Sequence, residues 1–227
     1  MIGSRFGNPL PTCSPVRGLR VGEWPVDIVC EPYRGGAEQV SGAAVRLAED
    51  LVAGLLELAP GAVRVAALAP SGRPVARIAG QAETPFLSIS HGRSLIGAAA
   101  SIAGQVGIDI VDPADAGRAL DVFFSPDELD LVPDDLGLLR ALLWAAKEAA
   151  YKAARLDTEF RPRQVTIDSL AANGFTWVVR APHARVEGAG RFTTVGRHVL
   201  AIAATAPAAS RRAAVNRGGR REASACS

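Results

Sequence analysis

Three kinds of segment occur twice in this chain, in the same order. VDIVCEP, Val26–Pro32, is a short β-branched run stopped by proline. A helical stretch follows from Ala37 to about Leu58, with Val45, Leu47, Leu51, Val52, Leu55 and Leu56 on one face. After the Pro60-Gly61 break, the strand VRVAAL and a turn at Pro70–Pro74, FLSIS-HGRS-LIGAAAS, Phe86–Ser101, has two apolar runs around a glycine-containing turn, which is a hairpin signal. GIDIVDP (Gly107–Pro113), a helix ending at Leu156 and RFTTVGRHVLAIAAT (Arg191–Thr205) then run through the same series. The expected fold is α+β: two similar halves, residues 22–105 and 106–206, forming a pseudo-dimer, each a small antiparallel sheet packed with a long helix. A cleft between such halves is a common place for a ligand.

The ends are expected to be different. Residues 1–21 are rich in Gly, Pro and Arg and read as a loosely ordered lead-in, without the apolar run of a secretory signal. Residues 207–227 carry five arginines and no large apolar side chain beyond Val215, so they read as a disordered basic tail. Such a tail can touch nucleic acid non-specifically, but specific nucleic-acid binding is not expected. With 48% apolar residues the chain fits a soluble globular protein, and a net charge of +2 means that any anion site must be built locally. Cys13, Cys30 and Cys226 are too few and too widely spaced for a disulfide framework or a CxxC metal site, which points to a reducing, cytoplasmic setting. No run is long and apolar enough to span a membrane.

LLWAAKEAAYKAARL, Leu142–Leu156, is a strong helix former with charges set inside an Ala/Leu/Trp run. Trp144, Glu148 and Lys152 share one face by their i, i+4, i+8 spacing, with Lys147 and Tyr151 on the adjoining edge. Alone, this reads as a surface ion pair worth about 0.3–0.5 kcal/mol. Asp109 changes the balance, because a carboxylate among Ile108, Ile110 and Val111 is costly unless paired, hydrogen-bonded or bound to a metal. It could cap the following turn, or it could join Glu148 in holding Mg²⁺, which takes one or two carboxylates plus waters and phosphate oxygens. His91, in SISHG, and Arg73, in SGRP, are by themselves ordinary turn residues, although His91 can reach outward to an anion.

Taken together, GRP, PFLSISHG, VGIDIV, FFSPDE and WAAKEAAYK resemble, in order and separation, the motifs of the 4'-phosphopantetheinyl transferase superfamily, over roughly Val40–Thr205. The two-half layout is similar to the monomeric, pseudo-dimeric surfactin-synthetase-activating type, while G-x-D-x-V-D resembles the smaller holo-acyl-carrier-protein synthases. The resemblance implies transfer of the phosphopantetheine arm of coenzyme A to a serine of an acyl or peptidyl carrier protein, with Mg²⁺ as cofactor and release of adenosine 3',5'-bisphosphate. It implies Asp109 and Glu148 as metal ligands, Glu148 also as the base, and Lys152 as a phosphate contact that assists the departing charge. It further implies Arg73, Ser90, His91 and Lys147 as coenzyme A contacts, with Arg46 as the one candidate retained in the first helix. Two readings of Glu128 stand side by side: a residue near the metal, or the partner of Ser125 in an S-x-x-E capping box. Trp144 is expected to pack between helix and core.

The chain also departs from the family. Val111 stands where the surfactin type carries an acidic metal ligand, and strand alternation puts the neighbouring Asp112 on the opposite face. The acidic and basic cluster of the family's first helix region is not recognisable between Met1 and Ala37. A degenerate homologue that binds coenzyme A or a carrier without transfer is therefore the alternative reading.

Overall fold

The computed structural model describes residues 14–69, 71–131, 136–156, 158–171 and 173–207. The expectations of a loose lead-in over residues 1–13 and a disordered tail from residue 208 onward lie outside them. Eleven strands and three α-helices are present among the described residues. They run β1 (Val16–Val21), β2 (Trp24–Pro32), α1 (Ala37–Leu55), β3 (Val63–Leu68), β4 (Arg73–Ile78), β5 (Phe86–His91), β6 (Leu95–Ser101) and β7 (Gln105–Val111). There follow α2 (Pro126–Asp130), α3 (Leu136–Ala154), β8 (Val165–Leu170), β9 (Gly174–Ala181), β10 (Ala184–Val195) and β11 (His198–Thr205). The fold is thus mixed α+β with antiparallel sheets.

One sheet has the order β1-β2-β6-β5 and the other β7-β11-β10-β9-β8, with β3 and β4 as a separate hairpin. In both sheets the strand before a long helix pairs with the last strand of the hairpin after it: β2 beside β6 beside β5, and β7 beside β11 beside β10. Period-two alternation divides the side chains of each sheet between two cores. Val29, Ala98 and Ala100 pack with Ala44, Leu51 and Val52 of α1. Val199, Ala201 and Ala203 pack with Leu142, Ala146 and Ala149 of α3. The alternate residues, including Ile28, Cys30 and Ala99 of one sheet and Ile108, Leu200 and Ile202 of the other, meet in a third core between the sheets. The layers therefore run helix, sheet, sheet, helix. Gly97 permits this approach, since a Cβ there would lie 2.9 Å from the Ile110 side chain.

Part of the segment expected to be loosely ordered is a strand. Val16–Val21 is a strand paired with β2 across a register shift between Val16 and Leu19. Its anchor is Asp27, which accepts from the Gly18 backbone at 2.7 Å and from Arg17 at 3.0 Å, while Val21 is fully buried. Gly and Arg here support a strand edge, which their composition alone hides.

The two sheets touch through their edge strands, β5 and β7. An edge strand leaves every other N–H without a ladder partner. Here the N–H groups of Ile108 and Ile110 donate to the hydroxyls of Ser88 and Ser90, each at 3.1 Å. The S-x-S spacing of β5 sets two hydroxyls on the face that meets β7, so serine replaces backbone as the acceptor.

Candidate active site at the meeting of β5, β7 and α3

β7 carries Asp109 to the seam between the sheets, where it is 5% exposed. Helix α3 brings Lys152 against it. The Lys152 ammonium donates to the Ile108 carbonyl at 3.1 Å and to Asp109 Oδ1 at 2.7 Å, and the Ser90 hydroxyl donates to the same Oδ1 at 3.0 Å. Glu148, one turn earlier on α3, lies 3.8 Å from Lys152 Nζ. Burial and then the Asp109 carboxylate push the Glu148 carboxyl up to about 7, against the pull of Lys152 and a hydrogen bond from the Trp144 side chain.

Helix and strand approach this closely because of small residues. A Cβ on Gly107 would lie 2.0 Å from the Ala149 carbonyl oxygen and 2.7 Å from the Ala153 nitrogen. The glycine of the G-x-D run therefore sets the distance at which Lys152 reaches Asp109.

Two cavities lie at this site, one of them lined by Lys152 itself. One, of about 660 Å³, is lined by Tyr33, His91, Arg93, Asp109, Trp144 and Glu148, together with Val111. The other, of about 610 Å³, is lined by Arg73, Ser88, Tyr151, Lys152, Arg155 and Phe160, among others. The site thus has a carboxylate side and a cationic side with one ammonium between them.

The other residues nominated from sequence fall into distinct places. His91 is exposed at the end of β5, in the carboxylate-side cavity. Arg73 lines the cationic cavity, but its guanidinium donates to the Arg155 carbonyl at 3.1 Å and to the Leu156 carbonyl, at the C-terminal end of α3. The Ser90 hydroxyl is occupied by Asp109 and the Ile110 N–H. Arg46 is exposed on α1 and lines neither cavity. Trp144 is half-buried against Phe123 and Phe160, with ring centroids 5.3 and 5.8 Å away.

Lys147 and Glu128 lie away from the cleft. Lys147 is 1% exposed and pairs with Glu128 at 2.7 Å, also donating to the Pro162 and Val165 carbonyls. Glu128 accepts from the Ser125 and Ile167 N–H groups at 2.8 and 2.9 Å, and Ser125 and Glu128 form a complete capping box. Both Glu128 oxygens are used in joining α2, α3 and β8, which corrects its placement beside a metal. The same packing corrects Lys147 as a phosphate contact. Asp112 is likewise occupied: it caps the turn at Ala114 and pairs with Arg197 at 2.7 Å.

Residues 105–203 match the family model of the 4'-phosphopantetheinyl transferase superfamily. No curated protein matches the chain. The matched segment covers under half of the sequence, from the start of β7 into β11. It contains Asp109, Glu128, Lys147, Glu148 and Lys152 and leaves out Arg46, Arg73, Ser90 and His91. The description of that family model is of transferases.

Sequence reasoning passed over Ser88 and Arg155. The period-two S-x-S of β5 was the available signal for the first. The second follows Lys152 by three residues, one helical turn on the same face.

Among the described residues no group of three or more His, Cys, Asp or Glu side chains is arranged to hold a metal. Asp109 and Glu148 nevertheless fit a hard cation: they are two neighbouring carboxyls, acceptor-only when ionised, of which burial and then the Asp109 charge raise Glu148, beside a cavity with room for waters.

Proposed function

We propose that this protein is a 4'-phosphopantetheinyl transferase of the pseudo-dimeric, surfactin-synthetase-activating type. It moves the phosphopantetheine arm of coenzyme A to a carrier-protein serine and releases adenosine 3',5'-bisphosphate. The observation that carries the reading is the convergence of Asp109, Glu148 and Lys152 at one seam, inside the segment that matches the superfamily. The matching strand order of the two sheets supports the pseudo-dimeric part.

In the reaction the carrier serine gives its proton to Glu148, directly or through a water, and its oxygen attacks the β-phosphorus. The new O–P bond forms as the bond to the departing adenosine bisphosphate oxygen breaks. In the metal-free protein the Glu148 carboxyl is raised to about 7, which makes it a better proton acceptor than an ordinary glutamate. Lys152 lines one cavity, donates to Asp109 in the lining of the other, and offsets charge on the phosphates. Ser90 holds the Asp109 carboxylate in place. Asp109 and Glu148 would hold Mg²⁺, which supplies charge neutralisation at the diphosphate and orients it for in-line displacement. The remaining work is positioning within the cleft.

The test is incubation with coenzyme A, Mg²⁺ and a panel of apo carriers of fatty-acid, polyketide and peptide type. A mass gain of one phosphopantetheine arm is expected on at least one carrier, and it should be lost in Asp109→Ala and Glu148→Ala. Absence of the gain across the panel, with coenzyme A still bound, would establish the non-transferring alternative.

A further inference from the structure

The cationic cavity holds one charge that the proposed reaction leaves unused. Arg155 directly follows α3 with a φ of 50°, a left-handed conformation disfavoured for any residue with a Cβ. That backbone turns a half-buried guanidinium into the 610 Å³ cavity. Its contacts are weak: a long 3.4 Å hydrogen bond to the Pro74 carbonyl and a position 5.7 Å from the centroid of the Phe86 ring. Among the described residues no carboxylate pairs with it. Glu159, which also lines the cavity, is exposed and makes no ion pair with it.

The neighbouring cations are engaged. Lys152 donates to Asp109 and the Ile108 carbonyl, and Arg73 donates to the Arg155 and Leu156 carbonyls. Burial, and then the nearby Arg73, disfavour the charge on Arg155. A guanidinium has five N–H donors, and one partly withdrawn from water beside a second guanidinium carries a cost that an anion relieves. Phosphate oxygens satisfy such a fork with two parallel bonds. The cavity volume lies within the usual range for small-molecule sites.

We propose that Arg155 binds a phosphate group of the co-substrate in the cavity it shares with Arg73 and Lys152. The identity of that ligand as coenzyme A rests on the transferase reading. The anion class rests on the cavity itself. Arg73 acts here through the end of α3, holding the backbone from which Arg155 projects.

The experiment pairs calorimetry with adenosine 3',5'-bisphosphate and transfer kinetics with coenzyme A, for the wild type, Arg155→Gly and Arg155→Lys. Glycine suits the left-handed backbone, so Arg155→Gly should keep a cooperative melt. Its Kd for the bisphosphate and its KM for coenzyme A should rise about tenfold or more, with kcat nearly unchanged, as expected for loss of a charge-assisted contact. Arg155→Lys should recover part of the loss. If Arg155→Gly melts poorly, Arg155→Asn, which tolerates the same backbone, reads the same Kd. Unchanged Kd and KM in a folded variant overturn the role of Arg155 while leaving the transferase reading intact. A wild type that binds the bisphosphate but modifies no carrier overturns transfer and leaves Arg155 to be decided by the Kd comparison. A wild type that binds no bisphosphate overturns both.

Discussion

Gly107 and Ala149 meet backbone to backbone: a Cβ on the glycine would sit 2.0 Å from the alanine carbonyl oxygen. Gly107→Ala therefore forces α3 and β7 apart at the point where Lys152 reaches Asp109. The expected loss is at least 1–3 kcal/mol of stability, the range for overpacking a dense core. Urea denaturation would measure it, and a variant as stable as the parent would show that α3 can shift freely. Transfer activity should fall by more than the loss of folded protein explains.

The buried pair of Lys147 and Glu128 gives a second prediction. Burial pushes the Lys147 ammonium down from its ordinary value while Glu128 opposes the shift. Lys147→Met strands the Glu128 carboxylate at 2% exposure and should cost about 3–5 kcal/mol. Adding Glu128→Gln should cost less than the sum of the two single changes, because each removes a partner the other needs. Comparing the two single variants with the double in chemical denaturation separates this coupling from simple loss of packing.

Glu148 makes stability depend on pH. Its folded-state carboxyl, at about 7, lies above the ordinary glutamate value of 4.5, so the folded protein binds this proton more tightly than the unfolded chain. The associated stability is fully present below pH 4.5 and is lost as pH rises through 7, up to about 3 kcal/mol at about 1.4 kcal/mol per unit. Melting curves between pH 4 and 9 without divalent cations should show this decline, and Glu148→Gln should flatten it. Added Mg²⁺ should raise the melting temperature more at pH 8 than at pH 5, because the ion and the proton compete for the same carboxylate.

Val111 lines the same cavity as Asp109 and Glu148. Val111→Glu should lower the Mg²⁺ concentration needed for half-maximal transfer, since a third carboxylate replaces a water as ligand. The same variant without metal should be less stable above pH 7, where three neighbouring carboxylates repel one another. A Mg²⁺ titration of transfer activity checks the first part. Equal half-maximal concentrations would show that residue 111 does not face the ion.

Much of the architecture was legible locally. The apolar stripes of α1 and α3, the hairpin over Phe86–Ser101 and the β-branched run around Asp109 follow from periodicity, which depends only on near neighbours. β1, β8 and β9 were not read, because Val16–Val21 is broken by Gly and Arg, and the later strands carry polar residues that make sense only when paired with β2 and β10.

The candidate site divides in the same way. Sequence placed Glu148 and Lys152 on one helical face and Asp109 on an apolar strand, and it supplied the S-x-x-E pattern that caps α2. It could not determine that Lys147, on the adjoining edge, turns into a core pair with Glu128, nor that Ser88 and Ser90 complete the edge of β7. Nor could it show that Arg73 closes the end of a helix 82 residues away, leaving Arg155 in the cavity. A helix or strand fixes which residues share a face. Which face meets which neighbour, and therefore which charge is paired and which remains for a ligand, depends on contacts between distant segments that only the packed layers bring together.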